Sequence, residues 1–462
     1  MFVTEPRNGD NYDYFIIGLG PAGVTVALEL GLGHKRVLIF ESGEEGQPRR
    51  DLPNSVGYGH YSGTYWNSHS VRALGGTSNV WNGWCTTLRD IDFNNPAVGV
   101  RWPVRRSDLL PFYQRAAGIL DRDSSIVDFE TNAIGGFLYR PFSRHSPTRF
   151  AGKYMDVLKN SANIDVLGGC SAVAFDADDS RRVVRTINYY HHASGSARRL
   201  AVSAAQAVVI AAGGIGNAQL LLQPPTDGGV PVGNESGQVG KFLMEHPHFY
   251  EAAECVLDED LDRYAPPAGF GRWEHTLVAD DAVSKAHQLY GCSLQCHGKT
   301  TNHELATYLS NQFGKLFYHY QIDLRTEMLP SPSNRVFLTG ERDRSGLYRP
   351  GVRCVIDARD FMNAEMTLRV FGDMLIRLQK GRIRIRNDRI YKQLRGGGHI
   401  LGTTAMGTSA SRSVVDGNCR IHGYANLYVA GSSVFPSGGY ANPTLTIVAL
   451  ALRLAERIAA SR

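Results

Sequence analysis

Two segments at opposite ends of the 462-residue chain constrain its fold more than anything else in it. Near the start, the apolar run 12–17 leads into Gly18-Leu19-Gly20-Pro21-Ala22-Gly23, and a helical pattern follows over 24–30. Near the end, the apolar run 427–430 leads into Gly431-Ser432 and then to Asn442-Pro443-Thr444, where a helical pattern begins that reaches residue 458. Each reads as a buried strand that turns through small residues into a helix. Pro21 suits a first helical turn, where a missing N–H costs nothing. Residues 36–40 read as the next strand, and Glu41 ends it 18 residues after Gly23. Strand, glycine loop, helix, strand and acid in that order form the βαβ signature of a dinucleotide site. The helix N-terminus takes the pyrophosphate and the carboxylate takes ribose hydroxyls. Cofactor walls built from both chain ends imply a nucleotide held deep inside. That is the behaviour of FAD, not of a nicotinamide that must come and go.

The length exceeds one ordinary core, so two domains are expected. A formal charge of +5 on a chain this long gives no reason to expect nucleic acid. The densest basic run, Arg382-Ile383-Arg384-Ile385-Arg386, alternates as a strand with one wet face. Seven scattered cysteines, an odd number without a spacing framework, read as free thiols in a reducing compartment. Cys292, Cys296 and His297 have no second ligand pair to match them, so no metal is expected. Residues 1–13 are polar, without the apolar stretch of a secretion signal, and no apolar run of about 18 residues exists to span a membrane. A cytoplasmic protein is the expectation.

Between the two ends, residues 42–106 show little periodicity, and a loop that long inside a domain is usually functional. At its centre stands Gly75-Gly76-Thr77-Ser78-Asn79-Val80-Trp81-Asn82-Gly83. Ser107 is placed to cap a helix running to about Leu120. Residues 164–175 and 182–211 read as several strands. The last runs into Ala212-Gly213-Gly214-Ile215-Gly216-Asn217 with a helix over 218–223, a second strand–glycine turn–helix that returns the chain to the cofactor. Residues 248–390 alternate apolar and polar and include a long helical pattern over 360–378. The expected architecture is therefore α/β. Residues 1–247 and 391–462 would form a Rossmann-like FAD-binding domain, and 248–390 an antiparallel-sheet substrate domain.

These pieces, in this order, resemble the glucose–methanol–choline (GMC) family of FAD-dependent oxidoreductases over essentially the whole chain. The motifs that carry the resemblance are the 18–23 loop, the 75–81 loop, Met244-Glu245-His246-Pro247, and the closing Gly431-Ser432 through Asn442-Pro443-Thr444. The segment 398–407, with His399 and Met406, and the stretch 329–336 are similar to the sugar-oxidising branch: pyranose oxidases, glucoside 3-dehydrogenases, C-glycoside 3-oxidases and aminoglycoside alcohol oxidases. The resemblance implies that His399 and Asn442 are the catalytic pair facing the flavin, and that Asn82 lies near flavin N5. It extends the cofactor contacts to Ser42, Val173, Ala212, Gly213 and Asn217. Where pyranose oxidase carries the histidine that bonds its flavin covalently, this chain has Val80, so FAD should be non-covalent. The chain is short for the family, so appended arms or lid insertions are expected to be missing.

Alcohol oxidation removes a hydroxyl proton and a carbon-bound hydride. The flavin takes the hydride, and a neutral imidazole suits the proton. His399 would be the base and Asn442 would orient the same oxygen. The final helix would present its N-terminal amides to the negative charge of reduced flavin. His248, His297 and His422 lack such context and read as structural or surface residues, and Glu327 is a candidate polar group of the substrate pocket. The leading reading is oxidation of a hydroxyl on a sugar, glycoside or aminocyclitol, with O2, a quinone or a cytochrome as acceptor. Alternatives are a flavin-dependent lyase of the hydroxynitrile-lyase kind, a non-sugar alcohol oxidase, or a non-catalytic flavoprotein.

Overall fold

The structure, a computed structural model, describes residues 2–6, 11–44, 55–226, 228–267 and 270–461. Residues 45–54 of the loop read over 42–106 lie outside the described residues. A six-stranded, wholly parallel sheet gathers both chain ends. Its order is Phe2–Val3, Ile164–Gly168, Val37–Glu41, Tyr14–Ile17, Ala207–Ile210 and Leu427–Val429. Every residue of Tyr14–Ile17, Val37–Glu41 and Ala207–Ile210 is buried, as expected of strands covered on both faces. Tyr14–Ile17 has the next strand of this sheet in sequence, Val37–Glu41, on one side and Ala207–Ile210 on the other. This is a switch point, and such sheets bind ligands at the carboxyl ends of their strands there.

Two glycines make the first turn sterically possible. Gly18 has φ +106°, and a Cβ on it would lie 2.7 Å from the Ala211 carbonyl oxygen. A Cβ on Gly23 would lie 2.0 Å from the Gly18 oxygen, so only glycine lets the helix Pro21–Leu32 pack against the strand that precedes it. The closing helix, Thr444–Ala460, buries Leu445, Val448, Leu452 and Ala455 and packs on both Pro21–Leu32 and Arg106–Ile119.

A second, antiparallel sheet runs Gly381–Ile385, Pro247–Leu257, Tyr318–Thr326, Cys292–Thr300, Arg272–Ala279, Phe142–Arg144 and Trp84–Cys85. Phe137–Tyr139 and Thr131–Ile134 add to it at Arg272–Ala279, and Leu394–Gly396 pairs with the start of Pro247–Leu257. It therefore takes strands from 84–85 and 131–144 as well as from 248–390. The helix Ala358–Arg377 covers one face with Ala364, Leu368, Phe371 and Leu375. All seven cysteines are buried. Among the described residues no helix is long and apolar enough to cross a membrane.

Two helix starts differ from the sequence reading. The helix after the second glycine turn is Gly213–Leu222, so it begins inside the glycines themselves. Gly213 has φ +80°, and the Asn217 side chain accepts the Ala212 N–H at 2.7 Å, which closes the first turn without a propensity signal. The other helix starts at Arg106 with Arg105 as its cap. Ser107 is already helical, because Asp108 takes the Arg105 N–H at 2.9 Å and fills the capping role.

Candidate active site

A cavity of about 390 Å³ runs from the carboxyl ends of the parallel strands to the start of Pro247–Leu257. Gly18, Gly20, Pro21, Ala22, Glu41 and Ser42 line one end. Gly20 and Gly76 meet here, and a Cβ on Gly76 would lie 2.9 Å from the Gly20 Cα. Glu41 is 5% exposed, and its carboxylate accepts the N–H groups of Leu19 at 2.8 Å and Gly43 at 2.7 Å. Burial raises its pKa against those hydrogen bonds and the nearby Arg72 charge. Arg72, which sequence reasoning missed, also lines the cavity and holds the Gln219 oxygen at 2.7 Å. Helix N-terminus, carboxylate and guanidinium together suit the pyrophosphate and ribose of a dinucleotide. The middle is walled by Gly76, Thr77, Ser78, Val80, Trp81, Asn82 and Gly83, with Ala212 and Gly213 across from them, and by Gly431, Ser432, Asn442, Pro443 and Thr444.

Five residues read as cofactor contacts do not line this cavity. Gly23 is spent on the helix–strand contact described above. Gly75, at φ +81°, bonds its N–H to the Leu19 carbonyl, so it joins the two loops. Asn79 turns back to the Leu74 carbonyl at 2.8 Å. Val173 sits in a register shift between Ala172 and Ala174, and Ala172 reaches the cavity instead. Asn217 acts from behind, with its amide donating to the Ala430 carbonyl at 3.0 Å and Ser433 Oγ at 2.8 Å.

The far end is built by two strands of chain zipped together. Met244 and Leu401 exchange backbone hydrogen bonds at 3.1 Å. The fully buried Glu245 carboxylate accepts the Gly397 N–H at 2.8 Å and the His399 N–H. Burial pushes its pKa up to about 7 against those bonds. Ser432 Oγ donates to the Ile400 carbonyl at 2.6 Å. His399 is thereby clamped from both sides by main-chain bonds.

Its ring sits in a chain of polar groups. Asn442 Nδ2 lies 3.3 Å from His399 Nε2, and His246 Nδ1 lies 2.8 Å from His399 Nδ1. An amide nitrogen only donates, so Nε2 of His399 accepts and Nδ1 carries the proton. His246 Nδ1 accepts that proton's hydrogen bond, and its own proton is on Nε2, against the Gly438–Gly439 backbone. The arrangement leaves His399 Nε2 unprotonated on the cavity wall, with its lone pair turned to the Asn442 amide. Burial, then His246, His248 and Arg325, hold His399 well below the usual histidine value, and burial holds His246 at about 4. Both are neutral at ordinary pH, as a proton acceptor requires.

His248 corrects the sequence reading. It lines the cavity and its ring centroid is 6.1 Å from that of His399. No local motif marks it; the pairing of Pro247–Leu257 with Tyr318–Thr326 sets it against Arg325. Glu327 is also corrected. It is 1% exposed and off the cavity, taking the N–H groups of Gly438 at 3.0 Å, Gly439 at 2.8 Å and Gly291 at 3.0 Å. It braces the loop before Asn442. His422 bonds Ser413 Oγ at 3.0 Å and His297 pairs with Asp323 at 3.2 Å, both outside the cavity.

Residues 330–451 match the family described as GMC oxidoreductase. The chain is an oxidoreductase whose closing residues carry that family's pattern. It acts on CH–OH donors with FAD, as an oxidase or a dehydrogenase. It is 26% identical to 6'''-hydroxyparomomycin C oxidase of Streptomyces lividus, over 98% of this chain and 93% of that protein. It is 25% identical to the fructose dehydrogenase large subunit of Gluconobacter japonicus, over 54% of this chain and 46% of that one. A fungal aryl-alcohol oxidase structure superposes with a TM-score of 0.62 at 16% identity, covering 98% of this chain and 99% of the other. That likeness extends the GMC fold to both sheets.

Proposed function

We propose that this chain is an FAD-dependent GMC oxidoreductase that oxidises a hydroxyl on a sugar, glycoside or aminocyclitol to a ketone or aldehyde, with His399 as the base. The observation that carries the reading is the His246–His399–Asn442 chain, which leaves one unprotonated imidazole nitrogen at the cavity beside an amide donor. His399 Nε2 takes the hydroxyl proton. Asn442 Nδ2 donates to the same oxygen and fixes its direction without competing for the proton. Bound FAD supplies the hydride acceptor. The start of Thr444–Ala460 gives its amides and positive dipole end to negative charge formed at the cavity.

Val80, on the cavity wall, has no nucleophile, which supports non-covalent FAD. Support for a carbohydrate comes from the sugar-acting names among the relatives and from the 398–407 segment that carries His399. The acceptor is oxygen, a quinone or a cytochrome.

The test is anaerobic. FAD-loaded protein is mixed with monosaccharides, C- and O-glycosides and aminocyclitols, and the flavin band near 450 nm is followed. Bleaching by one of these classes, restored by air or by a quinone, supports the reading and names the acceptor type. A flavin that stays oxidised with every compound while the product of a lyase accumulates would replace it.

A further inference from the structure

The far end of the cavity has an electrostatic character that the base and the amide do not use. Arg325, from the end of Tyr318–Thr326, lines it one imidazole away from His399. Its Nη1 lies 3.4 Å from His248 Nδ1. A guanidinium only donates, so His248 accepts on Nδ1 and is neutral, and burial and Arg325 hold it well below the usual histidine value. The guanidinium is fixed in place: its Nε donates to Gln295 Oε1, and Nη2 stands 3.5 Å from Glu274. Those partners leave N–H groups on Nη1 and Nη2 for the cavity.

No carboxylate answers this charge from inside. Among the described residues the sole acid lining the cavity is Glu41, at the opposite, nucleotide end. The other charged groups near Arg325 are committed behind the wall. Glu274, whose pKa burial raises and Arg325 lowers, is paired with Arg325 behind the wall and does not line the cavity. Asp323 pairs with His297 and takes the Glu251 N–H at 2.7 Å. Arg144 lies over the Trp84 ring at 5.1 Å, and its charge acts on Glu274.

We propose that Arg325 selects the substrate by charge: the group set against it is a hydroxyl or carboxylate oxygen, and an ammonium in that position is rejected. This rests on the reading of the site as a carbohydrate-alcohol oxidation site and narrows it. Neutral sugars, glycosides and sugar acids remain. Amino sugars and aminocyclitols drop out, because their ammonium would lose water against a wall that presents a cation and no carboxylate of its own at this end of the cavity. A carboxylate or hydroxyl oxygen instead gains guanidinium donors, the geometry for which arginine is suited.

The experiment uses FAD-loaded protein and matched probes: D-glucose, D-glucuronate, D-glucosamine and 6-amino-6-deoxy-D-glucose, with anaerobic flavin reduction as the readout. Glucose and glucuronate should outpace both amino sugars at least about tenfold in kcat/KM, chiefly through KM, with a gap that shrinks as salt is raised. Arg325→Gln should close the gap to within about twofold, and Arg325→Lys should keep most of it. Binding without turnover gives a second readout. Acetate should perturb the oxidised flavin spectrum and compete with glucose, methylammonium should not, and Arg325→Gln should abolish the acetate effect. FAD content and melting temperature of each variant separate misfolding from lost selectivity. Amino sugars that reduce the flavin as fast as glucose, or a gap unchanged in Arg325→Gln, would overturn the charge selection alone. Failure of all four sugars to bleach the flavin would instead strike the carbohydrate reading on which it rests.

Discussion

His246 offers the sharpest test, because its proposed effect on His399 is a tautomer choice and the size of that effect can be worked out. The substitution is His246→Phe, which keeps an aromatic body but removes the Nδ1 acceptor now 2.8 Å from His399 Nδ1. His246 is 2% exposed, so no bulk water replaces it. Losing a neutral hydrogen bond costs about 1 kcal/mol, and leaving the Nδ1–H unpaired in a dry site costs about 1–3 kcal/mol. His399 escapes by moving its proton to Nε2, where it can no longer accept one from substrate. A shift of about 1–2 kcal/mol toward that tautomer changes the tautomer ratio about five- to thirty-fold and lowers the competent population by up to that factor. The assay is single-turnover flavin reduction in anaerobic stopped flow at saturating alcohol, with FAD content measured in the same sample. The rate should fall by that factor while FAD stays bound. A rate within twofold of the parent would refute the tautomer argument. A loss as deep as that of His399→Ala would mean that His246 itself handles the proton.

The other expectations are smaller in scope. His399→Ala should slow flavin reduction at least about 100-fold with FAD retained, as for removal of a general base; an unchanged rate removes its assigned role. Glu41→Gln should weaken FAD retention about tenfold or more by removing a charged acceptor beside the ribose, read by dialysis and absorbance; full retention would count against that contact. Because burial and positive neighbours depress His399, the acid limb of flavin reduction should lie below pH 6.5; a limb centred at 7 would contradict a base held neutral. His246 has a folded value of about 4 against 6.5 unfolded, so its stabilisation is complete above pH 6.5 and is lost as pH falls through 4. The melting-temperature difference between parent and His246→Phe should shrink over that window, and a constant difference would argue against the shift.

The nucleotide half was legible because its determinants are local. Gly18, Gly20, Pro21 and Glu41 sit within one βαβ unit, and turn sterics, helix polarity and strand length fix their relative positions with no help from elsewhere. His399 and Asn442 were legible for another reason: each stands in a short motif, and a family resemblance supplied their partnership. His248, Arg325 and Arg72 carry no such mark. His248 and Arg325 come from different strands and meet through antiparallel register, and Arg72 reaches the cavity from an aperiodic loop. Glu327 misled for the complementary reason, since a lone acid in a substrate region reads as functional until three backbone N–H groups are found around it.

From its residues alone this chain dictates a dinucleotide-binding sheet assembled from both ends, because glycine spacing and buried strand runs act over a few residues at a time. Which nitrogen of His399 carries the proton, and which charge the cavity presents to a substrate, are settled only by folding. Those properties arise from side chains brought together across as much as 153 residues of sequence, as His246 and His399 are, and from the water that their burial removes.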